Sequence, residues 1–466
     1  MKTRVMRGGV ASLRNASPGP QPAPTTPRPP DRARRCPSRS RGDGMIERIP
    51  LDIGEERIRP FPPEAVTSRE GSAEVPAEAG GMRPEDVEAI WNAVLRLYRH
   101  RLHPAIALSI RRRGAVILDR AIGHLSGNTP GDPEDTPRIP ATPKTLFNLF
   151  SASKAVTAMV VHLLNERNRV HLDDPVAEYV PAFGQRGKGW ITLRHVLTHR
   201  AGIPSVPDQD LDLDILTDFD EIFGRICALT PQWKAGRRLA YHALTGGYVI
   251  DAVVRAVTGL DIRTFLHREI LDPLGFRDFS YGVPENRLGE VARHAFTGSP
   301  ARPPYSWLMK RVLGVSIREA VEISNDPRFL TAIVPSGNII TTANEASRFF
   351  QLLLDGGELD GVRIFDPRTI RRAVAEQSYL EFDLMLCLPV RYGMGFMLGD
   401  RRFSIYGPET PKAFGHLGFT NVVVYADPQR AISVALMTSG KPFITPRAFY
   451  WYNVMRTIAQ RCPRIR

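Results

Sequence analysis

Apolar residues recur at helical spacing from residue 87 onward, at Val87, Ile90, Val94, Leu95 and Tyr98. They follow Arg83-Pro84-Glu85-Asp86, where a proline and two acids suit a helix N-terminus. Two short apolar runs come next, 105–110 and 115–122, joined by the basic turn Arg111-Arg112-Arg113-Gly114, and these predict a β-hairpin. The run Leu146 to Phe150 leads into Val156, Met159, Val160, Leu163 and Leu164, again at helical spacing. Helical patterns dominate from about 160 to 325, over 212–229, 246–257 and 262–271. Strand signals return at 338–341 and strengthen at 422–425 and 432–437, around a turn at Asp427-Pro428, before an aromatic helix expected from about 446 to 458.

Helix and hairpin at the front, hairpin and helix at the back, predict one discontinuous α/β (α+β) domain over 83–462. Its antiparallel sheet lobe, flanked by helices, takes about 83–160 and 326–462, and an all-helical lobe takes about 161–325. A ligand site is expected in the cleft between them. No apolar run approaches the roughly 18 residues of a membrane span, since His162, Asp251 and Arg255 interrupt the best candidates.

Composition modifies this picture at one end. A hydrophobic fraction of 42% supports a sizeable core, while the net charge of +13 invites a nucleic-acid partner. Residues 1–44, however, hold ten basic groups against Asp31 and Asp43, so +8 of that charge belongs to a tail rich in Pro, Arg and Ser. Residues 1 to about 80 are therefore expected to be largely disordered, and no nucleic-acid partner is expected. Arg34-Arg35 lacks the apolar stretch of an export signal, the prolines oppose a transit helix, and initiation at Met45 is the simplest account. Cys36, Cys227, Cys387 and Cys462 are widely spaced and form no CxxC pair, which points to a reducing, cytoplasmic setting.

The strongest chemical signal is Ser151-Ala152-Ser153-Lys154. Residues three apart share a helix face, so a neutral Lys154 could take the Ser151 hydroxyl proton. The same four residues also fit an N-capped helix with a solvated lysine. Tyr241, before a helical run, reads as a core aromatic or, near a cation, as a base to Ser151. Gly415-His416-Leu417-Gly418 reads as a bulge with a surface histidine or as backbone open to a ligand. His195 and His199 lack the glutamate of a metalloprotease helix, and a short helix ending near Gly202 and Pro204 accounts for them without a metal. Pro335-Ser336-Gly337-Asn338 lacks the first glycine of a nucleophile elbow.

Taken in order, Ser151-x-x-Lys154, Ile191-Thr192-Leu193-Arg194-His195-Val196-Leu197-Thr198-His199-Arg200-Ala201-Gly202, Tyr241 and His416-Leu417-Gly418 resemble the serine β-lactamase-related superfamily. So do His171-Leu172-Asp173-Asp174-Pro175-Val176, Leu271-Asp272-Pro273-Leu274-Gly275-Phe276, Ser336 to Ala343 and Tyr392-Gly393-Met394-Gly395-Phe396. Its members include class C β-lactamases, D-alanyl-D-alanine carboxypeptidases and family VIII carboxylesterases. The resemblance implies a β-lactamase/transpeptidase-like fold, Ser151 as acylated nucleophile, Lys154 as its activator and Tyr241 as a base that also protonates the leaving group. It implies an oxyanion hole from the backbone of Ser151 and Phe419, substrate binding by His416, Leu417, Gly418 and His242, and no metal or cofactor. Two departures bear on substrate: Ala243 stands where the family's second motif has asparagine, and His416 where the third has lysine. A histidine carries charge only near or below about pH 6.5, which weakens the fixed cation that a β-lactam or peptide carboxylate needs. An uncharged small-molecule ester is the expected substrate. β-Lactamase or D-amino peptidase activity, acyl transfer to another alcohol, and a scaffold that lost turnover remain the alternatives.

Overall fold

The computed structural model describes residues 54–205, 213–442 and 449–465. The first apolar stripe forms helix α1 (Pro84–Arg99), with Pro84 at its start and Glu85 and Asp86 in its first turn, where acids complement the helix dipole. The hairpin follows as β1 (Ala105–Arg112) and β2 (Ala115–Ser126). Helix α2 (Ser153–Glu166) comes after the candidate nucleophile. The helical stretch includes α3 (Thr245–Thr258), α4 (Tyr305–Leu313) and α5 (Ile317–Ile323). The chain returns through α6 (Ala343–Leu354) to the strands β3 (Ser378–Asp383), β4 (Leu388–Tyr392), β5 (Met397–Leu398), β6 (Phe414–Gly418), β7 (Val422–Asp427) and β8 (Ile432–Thr438), then α7 (Trp451–Arg461).

The two chain ends meet in one antiparallel sheet: β8 lies on β1 with Ala435 opposite Ser109 and Leu436 opposite Leu108. The order across it is Thr67–Ser68, β2, β1, β8, β7, β6, β5, β4, β3. Strand alternation divides the core in two. Ile106, Leu108 and Ile110 join Val87, Ile90 and Val94 of α1 and Val454, Met455 and Ile458 of α7. Ala105 and Ala107 point the other way, into the core that contains α2 and α6. Small residues on that face let α6 approach closely enough for Ser347 Oγ to lie 3.1 Å from Ser109 Oγ, and Gln351 Oε1 3.1 Å from Ser433 Oγ. Helix α2 is buried on all sides from Ser153 to Leu164, as a helix between two layers must be.

Order begins earlier than composition suggests. The tail was expected to run to about residue 80, yet Thr67 and Ser68 pair with Ile122 and Ala121 of β2, and Ile58 is fully buried. Arg120, buried on β2, is held by Glu74, a charge pairing between distant residues that low hydrophobicity conceals. Residues 1–53 lie outside the described residues. The C-terminal helix is described over Trp451–Arg461, the expected start near 446 lying outside the described residues, and the described part of 212–229 divides into a 3-10 turn, Leu213–Thr217, and the helix Phe219–Ala228, capped by Asp218. Among the described residues no helix is long and apolar enough to cross a membrane.

Candidate active site

The segment before Ser151 is fixed from below. Phe147 and Asn148 pair with Thr341 and Ile340, and the buried Asn148 Oδ1 accepts the Phe150 N–H at 2.7 Å. Phe150 has φ of 49°, a left-handed conformation that a bulky residue keeps only where its surroundings enforce it. The His294 and Phe419 rings, 4.8 and 5.2 Å away, and Lys441 Nζ at 4.6 Å hold the Phe150 ring. The bend places Ser151 in a 3-10 turn at the mouth of α2, half-buried, with Ser153 Oγ accepting the Ile339 N–H behind it.

Lys154 lies one turn along, buried, with Nζ 3.3 Å from Ser151 Oγ. Nζ also donates to the carbonyls of Ala243 at 2.8 Å and Ser336 at 3.0 Å. Two N–H groups are thereby committed, and the remaining tetrahedral position faces Ser151. Burial lowers the Lys154 pKa to about 7, so both protonation states are populated at neutral pH. Both carbonyls come from segments that the sequence marks for other reasons: Ala243 stands two residues after Tyr241, and Ser336 opens the family-like stretch that runs to Ala343. Ser336 Oγ also bridges Leu244 O and Gly247 N, each at 3.0 Å, which locks this loop against the start of α3.

Tyr241 is brought to the same place. Its phenol lies beside the Ser151 side chain, and Lys154 Nζ lies 4.8 Å from the ring centroid. The peptide of Tyr241 is anchored on the buried Asp383, whose Oδ1 accepts its N–H at 3.1 Å and those of Met385 and Leu386 at 2.8 and 3.0 Å. The expectation that a neighbouring cation would ease ionisation of the phenol is corrected. Burial, with the Asp383 carboxylate nearby, raises the pKa and holds the phenol in its protonated form.

The histidines also need correction. His242 is buried, its Nε2 accepts the Ile203 N–H at 3.3 Å, and burial lowers its pKa to about 3. His416 is equally buried, its Nδ1 2.8 Å from Leu417 O and its ring 6.3 Å from that of Tyr241, and burial again lowers the pKa to about 3. Neither histidine lines the pocket at Ser151, nor does Leu417; Phe419 does. Gly418 is needed for a different reason than ligand approach: a Cβ there would sit 2.0 Å from Leu149 O, so its missing side chain lets the end of β6 close on the Ser151 turn. His195 caps the short helix Leu193–Leu197 through Thr192. His199 accepts the His242 N–H at 3.2 Å and packs its ring 4.7 Å from Tyr241.

Residues 94–458 match the protein family described as Beta-lactamase. The chain is 28% identical over 313 residues to the esterase/beta-lactamase LipL of Mycobacterium tuberculosis, covering 62% of this chain and 68% of that protein. A penicillin-binding protein homolog from Caulobacter crescentus superposes with a TM-score of 0.67 at 27% identity, covering 82% of this chain and 99% of that one. A family VIII carboxylesterase superposes with a TM-score of 0.67 over the same shares at 24% identity, a likeness of fold.

Proposed function

The chain belongs to the beta-lactamase family, and from that premise we propose that it is a serine hydrolase cleaving small carboxylic esters through an acyl-enzyme on Ser151. The observation that carries this reading is the placement of Lys154, with two N–H groups on carbonyls and its third position on Ser151 Oγ. In the neutral amine that third position is a lone pair. Ser151 gives its proton to Lys154 Nζ as Oγ attacks the ester carbonyl. The developing oxyanion is met by the N–H groups of Ser151 and Phe419, each worth about 3 kcal/mol if aligned. The departing alkoxide recovers a proton from Lys154, relayed by the Tyr241 phenol, and water repeats the sequence to release the acid.

The esterase reading is favoured over β-lactam hydrolysis because the buried, neutral His416 offers no fixed cation to a substrate carboxylate. The intact trio of Ser151, Lys154 and Tyr241 opposes a scaffold without turnover. Cys227, Cys387 and Cys462 are free thiols, which supports a cytoplasmic setting.

The test is the pH profile of p-nitrophenyl acetate hydrolysis, with nitrocefin in parallel. Lys154 is active when unprotonated, so kcat/KM rises with pH through about 7 and then levels. His242 and His416, lowered to about 3, and His199, lowered by burial, stay neutral across that window, and Tyr241 stays protonated. A flat profile between pH 5 and 9, or nitrocefin turned over faster than the ester, contradicts the proposal. Gly418→Ala provides a second check. Forcing a Cβ against Leu149 O is expected to cost about 1–3 kcal/mol of stability in a denaturant titration. By moving the Phe419 N–H it should also lower kcat about 10²-fold.

A further inference from the structure

The pocket that opens at Ser151 has a cavity volume of about 140 Å³, more than an acetyl group fills. Its walls come from separate parts of the chain: Leu313 on α4, Ala320 and Ile323 on α5, Leu216 on the 3-10 turn, Phe329 on the helix Pro327–Thr331, and Phe419 just after β6. Among the described residues no Lys, Arg, His, Asp or Glu lines it. The hydroxyls beside Ser151 are already occupied: Ser324 Oγ donates to Val321 O at 2.7 Å and lies 3.1 Å from His294 Nδ1, and Ser336 Oγ bridges Leu244 and Gly247. The outer wall is built rather than incidental. Ser316 and Glu319 form a capping box that starts α5, and Ile317 and Val321 pack on Phe296, fixing the face that Ala320 and Ile323 present.

Such a lining gains by covering hydrocarbon and has nothing to offer a charge. Ser151 itself forms part of the wall, so the half of the substrate that remains bonded to Ser151 after the alcohol leaves is the half this pocket can retain. The alcohol, which must exit and be replaced by water, needs no such enclosure. Resting on the serine-hydrolase reading above, we propose that this is an acyl pocket selecting esters of medium-length, uncharged hydrocarbon acids, with Ala320 and Leu216 setting the length accepted.

The experiment uses the full chain and p-nitrophenyl esters from acetate to laurate, so that only the acyl chain varies. The expected kcat/KM climbs about three- to fourfold per methylene from acetate to hexanoate and stops climbing beyond octanoate. Ala320→Trp and Leu216→Trp, on separate walls so that one misfolded variant does not end the test, each lower the octanoate-to-acetate ratio at least about tenfold. Acetate preferred by the unaltered protein, or a ratio unchanged in both folded variants, overturns the acyl pocket. If acetate is hydrolysed in a Ser151-dependent way without a rise along the series, the pocket falls and the hydrolase reading stands. If no ester is turned over and a fluorophosphonate fails to label Ser151, the hydrolase reading falls and takes the pocket with it.

Discussion

Ser151→Ala is expected to lower the ester-hydrolysis rate by about 10⁴-fold or more while leaving the unfolding free energy within about 0.5 kcal/mol. The two effects separate because the hydroxyl is half-buried and its partners do not depend on it: Lys154 keeps Ala243 O and Ser336 O, and Tyr241 keeps its backbone anchor on Asp383. Chemistry has no such fallback, since Ser324 and Ser336, the other hydroxyls at the pocket, have neither the lysine amine beside their oxygens nor free protons. Initial rates on p-nitrophenyl acetate and a denaturant titration read the two quantities independently. A variant that retains a tenth of the rate shows that another group is acylated.

Lys154→Ala and Lys154→Arg are both expected to lower kcat by about 10²–10⁴-fold, and the second substitution is the more informative. Alanine removes the amine and leaves the carbonyls of Ala243 and Ser336 without their donor, so its effect combines chemistry with loosening of the site. Arginine can still donate to those carbonyls and still carries charge next to the Tyr241 ring, yet it does not release a proton at any working pH. If Lys154 acts as the base, arginine is inactive up to pH 10, and the rise in rate through about pH 7 disappears. If Lys154 is only a cationic anchor, arginine keeps most of the rate. Full pH profiles of both variants distinguish these cases.

The parts of the site that depend on local spacing were readable in the sequence. Ser151 and Lys154 are one helical turn apart, and helix geometry requires their proximity once α2 forms. Tyr241 was readable only through the order of motifs, because a long intervening stretch of chain must fold before it meets Ser151. Burial was the quantity that could not be read. His242 and His416 look like polar ligands in a string of letters, yet each is buried, neither lines the pocket at Ser151, and desolvation keeps both rings neutral. The carbonyls of Ala243 and Ser336 were hidden for another reason: backbone acceptors leave no mark on residue identity. The fold shows the same division. The β1–β2 and β7–β8 hairpins announce themselves by largely apolar runs on either side of a turn, whereas β3 and β4 expose Tyr379, Phe382 and Leu388 and blur their alternation. Residues 54–80 join the sheet through backbone pairing and the Glu74–Arg120 contact rather than through hydrophobic mass.

The most direct measurement is the mass and position of the covalent intermediate. A p-nitrophenyl ester is mixed with the protein, quenched in acid within the first turnovers, and the digest is mapped by mass spectrometry. The expected result is a single acyl adduct on the peptide carrying Ser151, absent from Ser151→Ala. Hydrolysis that proceeds with no adduct, or with the acyl group on Ser324, Ser336 or Tyr241, contradicts the account.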